Sequence, residues 1–439
     1  MTSLQTKPQL PPVLRRVALW MMMMLGASYL STLVMTHFLH LDHLWGTLWI
    51  WRGNQWCDFY YFQDRSLHFM TTSYWDDKWG YPITYPAPVA VVLGLFYKLS
   101  HPFQTYFAVL ILAILTWGTW LARGLMSRGI RRDQAIAFAL VLMGSTWPVA
   151  YLLDTANIEG LMAILLATGV LAVLRDKTWL GATLIAMAAS LKLFPLILLA
   201  LLLSKRRYKE FAYGCVLTPV LILASLALLG PNISSAQFHI MEGMRFLKVN
   251  FIIERRAINF NFSHALFNPI KFAVLWIDRQ LHSGGSIGPV RHELAVADAA
   301  LRIYTVLTAI VGTTLYFWRI RKLPMLNQVI CLTVAAVTLT PFSSDYTLIH
   351  TLIPFTLLCF YAVEAWQQQR TVRGLDLCFA CFCFILAWMT FFTWGYVYND
   401  FVRTLALLVL LGTAIRVPFP WPTLDQPGSP DPVSGAVRA

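Results

Sequence analysis

Charged side chains are scarce in this chain. Only 13% of its 439 residues are Asp, Glu, Lys or Arg, whereas a soluble domain carries about 25%. Hydrophobic residues make up 58% and mean hydropathy is +0.60, which excludes an ordinary water-solvated domain. A disulfide framework is also missing. Six of the seven cysteines (Cys215, Cys331, Cys359, Cys378, Cys381 and Cys383) fall in apolar runs, and only Cys57 lies in a polar stretch. Cys378-x-x-Cys381-x-Cys383 has the outline of a metal motif, but it sits mid-run among Phe and Leu, where thiols pack as small apolar groups. The net charge of +13 comes without a basic stripe or an aromatic-interleaved groove, so no nucleic-acid partner is implied. Basic loops are expected of any membrane protein that obeys the positive-inside rule. No internal repeat is visible.

What the chain does have is a succession of apolar runs long enough to cross the ~30 Å hydrocarbon core. The first, Val17 to Thr36, follows Arg15 and Arg16. It lacks a small-residue cleavage site and is too long for a signal peptide, so it reads as a retained span. The others fall at approximately 103–122, 133–152, 158–174, 179–191, 194–204, 211–229, 300–318, 326–341, 348–366, 374–392 and 401–415. The expected fold class is therefore an all-α polytopic membrane protein of about twelve spans. Arg123, Arg128, Arg131, Arg132, Arg206, Arg207, Arg321 and Lys322 mark one side as cytoplasmic. The connections at 153–157, 342–347 and 393–400 hold no Lys or Arg and belong outside. Both termini are then inside, as a cytoplasmic start over 1–16 and a disordered Pro/Gly/Ser-rich tail over 416–439 flanking a membrane domain over 17–415. Two long outer loops remain, about 37–102 and 230–299. Pro86 to Leu99 and Leu266 to Ile277 read as interfacial helices within them, the second interrupted by Pro269 and Lys271.

Polar chemistry collects on the outer side. Lys192, in Ser190-Leu-Lys-Leu-Phe-Pro195, is an ionisable group close to membrane depth. It is either an anion-binding residue or a lysine snorkelling from a helix end. Trp56-Cys-Asp-Phe-Tyr-Tyr61 sets Asp58 among aromatic rings, a setting that raises a carboxylate pKa and suits a general base. Aromatic belts at membrane interfaces account for the Trp and Tyr without function. Asp76 and Asp77 compete for the role but sit beside Lys78. Asp154-Thr-Ala-Asn-Ile-Glu159 combines a candidate cap, Asp154, with Asn157 and Glu159. Arg245, Lys248, Arg255 and Arg256 lead into Asn259-Phe-Asn-Phe-Ser-His264. These cations beside Asn261, Ser263 and His264 suit a phosphate at headgroup level or, equally, nonspecific anionic lipid. Thr340-Pro-Phe-Ser-Ser-Asp345-Tyr and His350 complete the set.

These residues resemble the motifs of GT-C-class membrane glycosyltransferases, above all glycosyltransferase family 87, which includes mannosyl- and arabinofuranosyltransferases that use polyprenyl-phosphate sugars. The resemblance is carried by Asn157-Ile-Glu-Gly-Leu, Gly181-Ala-Thr-Leu, Lys192-x-x-Pro195 and the basic run Lys205-Arg-Arg-Tyr, with Asp58-Phe-Tyr-Tyr61, Tyr85-Pro-Ala-Pro88 and Asn261-Phe-Ser263 around them. Thr155-Ala-Asn157 stands where the family often has Gln-x-Asn. Thr340-Pro-Phe-Ser-Ser-Asp345-Tyr replaces a Ser-Pro-x-Ser-Trp-x-His segment, so Asp345 or His350 stands in for the late-loop histidine. The resemblance implies a GT-C-like bundle in the cell membrane with its active site on the extracytoplasmic face. A polyprenyl-phosphate-linked sugar would be the donor and a glycolipid or glycan hydroxyl the acceptor. Asp58 would be the base, Lys192 with Arg255 or Arg256 would hold the leaving phosphate, and Tyr85, Asn157, Glu159, Asn261, Ser263, His264, Asp345 and His350 would line the site. No cofactor and no obligatory metal are expected for a monophosphate leaving group. The rival readings are a twelve-span secondary transporter and a ligase or polymerase using a diphosphate donor.

Overall fold

The computed structural model describes residues 9–34, 56–62, 82–253, 263–283, 290–388 and 397–421. Among the described residues every regular element is a helix, and strand-like pairing is confined to the bridges Thr146 with Ala387 and Ser263 with Ser344. The first elements are α1 (Pro12–Leu33), the single turn α2 (Cys57–Tyr60), α3 (Ala87–Tyr97), α4 (Pro102–Ser127), α5 (Arg132–Ser145) and α6 (Trp147–Thr155). Next come α7 (Glu159–Leu174), α8 (Thr178–Leu191), a 3-10 turn over Phe194–Leu199 that runs into α9 (Ala200–Ser204), α10 (Tyr208–Leu229) and α11 (Ile233–Leu247). The last are α12 (Phe267–Ser283), α13 (Val290–Trp318), α14 (Met325–Thr338), a 3-10 turn over Asp345–Thr351, α15 (Leu352–Gln367), α16 (Leu375–Leu386) and α17 (Val397–Arg416).

Prolines punctuate the chain where a missing N–H costs least. Pro12, Pro88, Pro102 and Pro148 lie in first helical turns. Pro195 acts differently. Its ring cannot continue α8, so that helix ends at Leu191 and Lys192 takes an extended conformation (φ −150°, ψ 136°) before the 3-10 turn begins.

Five helical stretches among the described residues are long and apolar enough to cross a bilayer: Pro12–Ser31, Pro102–Ser127, Tyr208–Leu229, Arg291–Lys322 and Asp345–Gln367. The last is almost wholly enclosed by its neighbours, while Arg291–Lys322 is mostly uncovered. Exposed apolar stripes such as Val216, Val220 and Leu223 on α10 and Ile303, Val306 and Ile310 on α13 suit contact with lipid. The main core gathers Leu121, Leu166, Ile185, Leu201, Val329 and Leu358. A second cluster, with Phe59, Ile83, Tyr106, Leu191 and Leu229, surrounds α2 and α3 and supports the polar site. The three thiols Cys378, Cys381 and Cys383 are buried in α16, the packing role that their apolar surroundings predict.

Several expectations need correction. The run over 133–152 is two helices, because Thr146 is extended (φ −89°, ψ 122°) to pair with Ala387. Pro269 and Lys271 do not interrupt the segment after Leu266. Pro269 falls in the first turn of α12, where its missing N–H is harmless, and the Lys271 ammonium donates to the Ile252 carbonyl at 2.7 Å. Helix α13 begins at Val290, within the stretch expected to be loop. Residues 417–421, expected within the tail, are packed. The Phe419 N–H donates to Asn327 Oδ1 at 2.7 Å, and Phe419 and Trp421 are buried.

Candidate active site

The loop and helix ends that follow α1, α6 and α8 meet at one place. Two backbone turns build it, and each holds a non-glycine residue in the left-handed region: Trp56 (φ 59°) and Ala156 (φ 49°). Such residues are uncommon and strained, and they persist only where their surroundings hold them. The Trp56 N–H donates to the Asp154 carbonyl at 2.8 Å, which ties the two turns together. Aromatic packing anchors α2 beyond that bond. Phe59 stacks on Tyr106 (4.9 Å between centroids, 25°), and the Tyr97 hydroxyl donates to the Phe59 carbonyl at 2.6 Å.

Asn157 is the hub. Its Nδ2 donates to Asp58 Oδ2 at 2.7 Å and to the Tyr85 hydroxyl at 3.1 Å. Its Oδ1 accepts from the Glu159 N–H at 3.0 Å, and its carbonyl accepts from the Tyr106 hydroxyl at 2.7 Å. Asn157 therefore satisfies the first N–H of α7, the task expected of Asp154. Asp154 lies at the end of α6, and burial pushes its pKa up to about 6. Glu159, fully buried, accepts from Lys192 Nζ at 2.6 Å through Oε1 and pairs with His350 Nε2 at 2.6 Å through Oε2. The Lys192 ammonium also lies over two aromatic rings, 4.8 Å from the centre of Tyr346 and 5.4 Å from that of Tyr85. Its extended backbone, set by Pro195, is what turns it inward from the end of α8.

A second polar knot joins the first through Tyr346. Asp345 Oδ2 accepts from Trp147 Nε1 at 2.6 Å and from Arg403 Nη1, while Asp345 Oδ1 lies 3.8 Å from His264 Nδ1. The Ser263 N–H donates to Asp400 Oδ2 at 2.8 Å, and His264 Nε2 lies 2.9 Å from the Ser343 hydroxyl. The rings of Trp147, Tyr151 and Tyr346 stack in sequence between the two knots, with centroid spacings of 5.5 and 5.8 Å.

Desolvation raises the pKa of Asp58 above the ordinary carboxylate value. The Asn157 hydrogen bond and the Lys192 charge pull it down, and Glu159 adds to the rise. Tyr85 is raised well above a normal phenol by burial and by the nearby Asp58 charge, so it stays protonated. Burial lowers His264, which favours its neutral form, although Asp345 opposes this.

Of the candidate residues read from the sequence, Asp58, Tyr85, Asn157, Glu159, Lys192 and His350 meet in the first knot. Ser263, His264 and Asp345 meet in the second. Arg255, Arg256 and Asn261, like Asp76 and Asp77, lie outside the described residues. Lys248, expected to serve a phosphate, is instead paired with Asp298 on α13, and Arg245 is exposed. Trp147, Tyr346, Asp400 and Arg403 were missed. Asp400 and Arg403 carry charge at the start of an apolar run, the signal that marks an intramembrane ionisable residue as functional.

A model of glycosyltransferase family 87 matches residues 83–344. The chain belongs to that family. No curated protein and no solved structure matches it. The protein is thus a membrane glycosyltransferase, and sugar donor and acceptor are its substrates. The matched stretch contains Tyr85, Asn157, Glu159, Lys192, Ser263 and His264. Asp58 precedes it and is joined to the matched stretch by its bond from Asn157. Membership also displaces the transporter reading.

Proposed function

We propose that this family 87 enzyme transfers a mannose- or arabinofuranose-like sugar from a polyprenyl-phosphate donor to a glycolipid or glycan hydroxyl, with inversion, at the outer face of the cell membrane. The topology belonging to this reading has about twelve spans and both termini inside. Helix α3 and the helices of the second long loop then lie at the outer interface.

The observation that carries the reading is the Asp58 carboxylate, held by Asn157 beside aromatic rings and a lysine cation. Asp58 takes the proton of the acceptor hydroxyl as its oxygen attacks the anomeric carbon. The bond from that carbon to the phosphate oxygen breaks with its electron pair, and polyprenyl phosphate leaves. Lys192 faces the charge that grows on the phosphate oxygens. It has three N–H donors and Glu159 engages one of them, so donors remain for the phosphate. Arg255 or Arg256 with Asn261 supply further contacts, and the buried knot of Asp345, His264 and Arg403 fixes the wall carrying Tyr346.

Purified enzyme in lipid, supplied separately with polyprenyl-monophosphate and polyprenyl-diphosphate sugars, tests this. Turnover is expected from the monophosphate. Turnover from the diphosphate alone would replace the reading with that of a ligase or polymerase. Mass spectrometry of lipid-linked glycans from cells with and without the gene then identifies the sugar and acceptor.

A further inference from the structure

Away from the candidate active site, Asp278 and His282 lie one turn apart on α12, and His292 faces them from the start of α13. One ligand atom from each residue can be chosen so that all three lie within 4.8 Å of one another. We propose that Asp278, His282 and His292 form a binding site for a zinc-class divalent cation that staples α12 to α13.

The donor chemistry fits such an ion. Two imidazoles and one carboxylate are the protein ligands of a three-ligand zinc site, with a water in the fourth position. The i, i+4 spacing puts Asp278 and His282 on one face of α12. His282 Nδ1 is 3.1 Å from Asp278 Oδ1, and His292 Nε2 is 3.0 Å from Asp278 Oδ2. Arms of about 2.0–2.1 Å around a tetrahedral ion separate adjacent ligand atoms by roughly 3.3 Å. That is close to both His–Asp separations, so the ion would mainly draw the two imidazoles onto one carboxylate oxygen. The imidazole centroids are 5.7 Å apart, leaving space between them. Hydrogen bonds from N–H tautomers explain each His–Asp pair singly. His282 Nδ1 also lies 3.2 Å from the Asp278 carbonyl, so the ion would replace hydrogen bonds that already gather both imidazoles on one carboxylate.

The scaffold is already set on both sides of the cluster. Arg279 Nε donates to Glu293 Oε1 at 2.9 Å, one residue along from the cluster on each helix, and fixes their register. Below it, Phe267, Leu275, Ala297 and Leu301 pack between the helices. The His282 and His292 side chains keep 64% and 46% of their surface exposed, so an ion reaches them without unfolding the hairpin and their replacement removes little packing. The ion would close the chain between residues 282 and 292 just downstream of Ser263 and His264. This inference does not depend on the donor or on the role of Asp58.

The test uses full-length protein in nanodiscs, its affinity tag removed, stripped with chelator and titrated with Zn²⁺ alone by calorimetry. One equivalent per chain is expected, with slowed amide exchange over residues 278–294. His282→Gln/His292→Gln should weaken binding at least tenfold and abolish the exchange effect while metal-free melting is unchanged. His292→Gln alone, the smaller perturbation, should weaken it in the same direction. Absence of stoichiometric binding to the wild type, or equal binding by these variants, would overturn the proposal, as would binding that leaves exchange over 278–294 unaltered.

Discussion

Asp58 and Lys192 are linked through three residues of one helix start, Asn157 to Glu159, so each is tested best with the other intact. Asp58→Asn preserves the hydrogen bond from Asn157 if the amide oxygen faces it, and removes only basicity. Turnover should fall ~10²–10⁴-fold, the usual contribution of a positioned acid–base group, with expression and donor binding retained. Near-normal transfer by the folded variant would transfer the role to Asp345 or Glu159. The direction of the Asp58 shift gives a second readout. A base is active when deprotonated, and burial raises this carboxyl's pKa, so the wild-type rate should climb with pH through a value above the ordinary carboxylate range. The residual rate of Asp58→Asn should lack that limb. For Lys192, truncation to Ala removes the phosphate's counter-charge but also leaves the buried Glu159 with only His350, and stranding one member of a buried pair costs about 3–5 kcal/mol. The double variant Lys192→Met/Glu159→Gln separates the two effects. Its melting temperature should recover toward wild type while donor affinity stays weak. Lys192→Arg should be partly tolerated, since a guanidinium is broader than an ammonium. Wild-type donor affinity in the double variant would leave Lys192 as a packing and snorkelling residue only.

Helix α11 meets the segment carrying Tyr85 without any side chain between them. A Cβ added at Gly243 would lie 1.6 Å from the Ile83 carbonyl oxygen, far inside contact distance, and the obstructing atom is backbone. Gly243→Ala should therefore push α11 off this segment at a cost of about 1–3 kcal/mol, read as a lower melting temperature in detergent. Turnover should drop beyond what the stability loss explains, because Tyr85 is displaced from Asn157. An unchanged melting curve would mean that α11 docks more loosely than the geometry requires. Many of the helices were legible from the sequence as apolar runs closed by basic residues or proline, as with α4 between Pro102 and Arg128. Helix α11 was not, since it lies in the stretch 230–299 read as an outer loop. What also escaped were breaks imposed by distant partners. Thr146 is extended because Ala387 pairs with it, and no local pattern around Thr146 announces that bond. The site divides in the same way. Asp58, Asn157, Glu159 and Lys192 were legible because each is an ionisable or amide group beside an apolar run. Trp147 and Tyr346 were hidden among interfacial aromatics, and Arg403 takes its meaning from Asp345, 58 positions earlier in the chain.

At the scale of the molecule, two of the polar sets among the described residues fall on opposite membrane faces in the proposed topology. One is the candidate site. The other joins Arg128 to Glu364 at 2.8 Å, places the Arg128 guanidinium 4.5 Å from the centre of the Phe360 ring, and recruits Trp421, whose Nε1 donates to Glu364 Oε2 at 2.7 Å. Asn327 adds to it by donating to the carbonyls of Ala414 and Val417, both at 2.7 Å. Residues 417–421 are thereby strapped back onto the bundle at the basic side, the face that the positive-inside rule assigns to the cytoplasm. Single cysteines introduced one at a time test the assignment, read with a membrane-impermeant maleimide on intact cells and again after permeabilisation. The background is Cys57→Ser, since the other native thiols fall in apolar runs. Cysteines close to Asp58, Asp154, Asn261 and Asp345 should react before permeabilisation, and those replacing Arg206 or Arg321 or adjoining Arg128 only after it. A reagent on one side reaching positions near both Asp58 and Asp345 is what a single site requires, since Tyr346 connects the two knots through the Lys192 ammonium. Labelling of these two positions from opposite sides would separate Asp58 from the late loop and leave transfer at the outer face without its second wall.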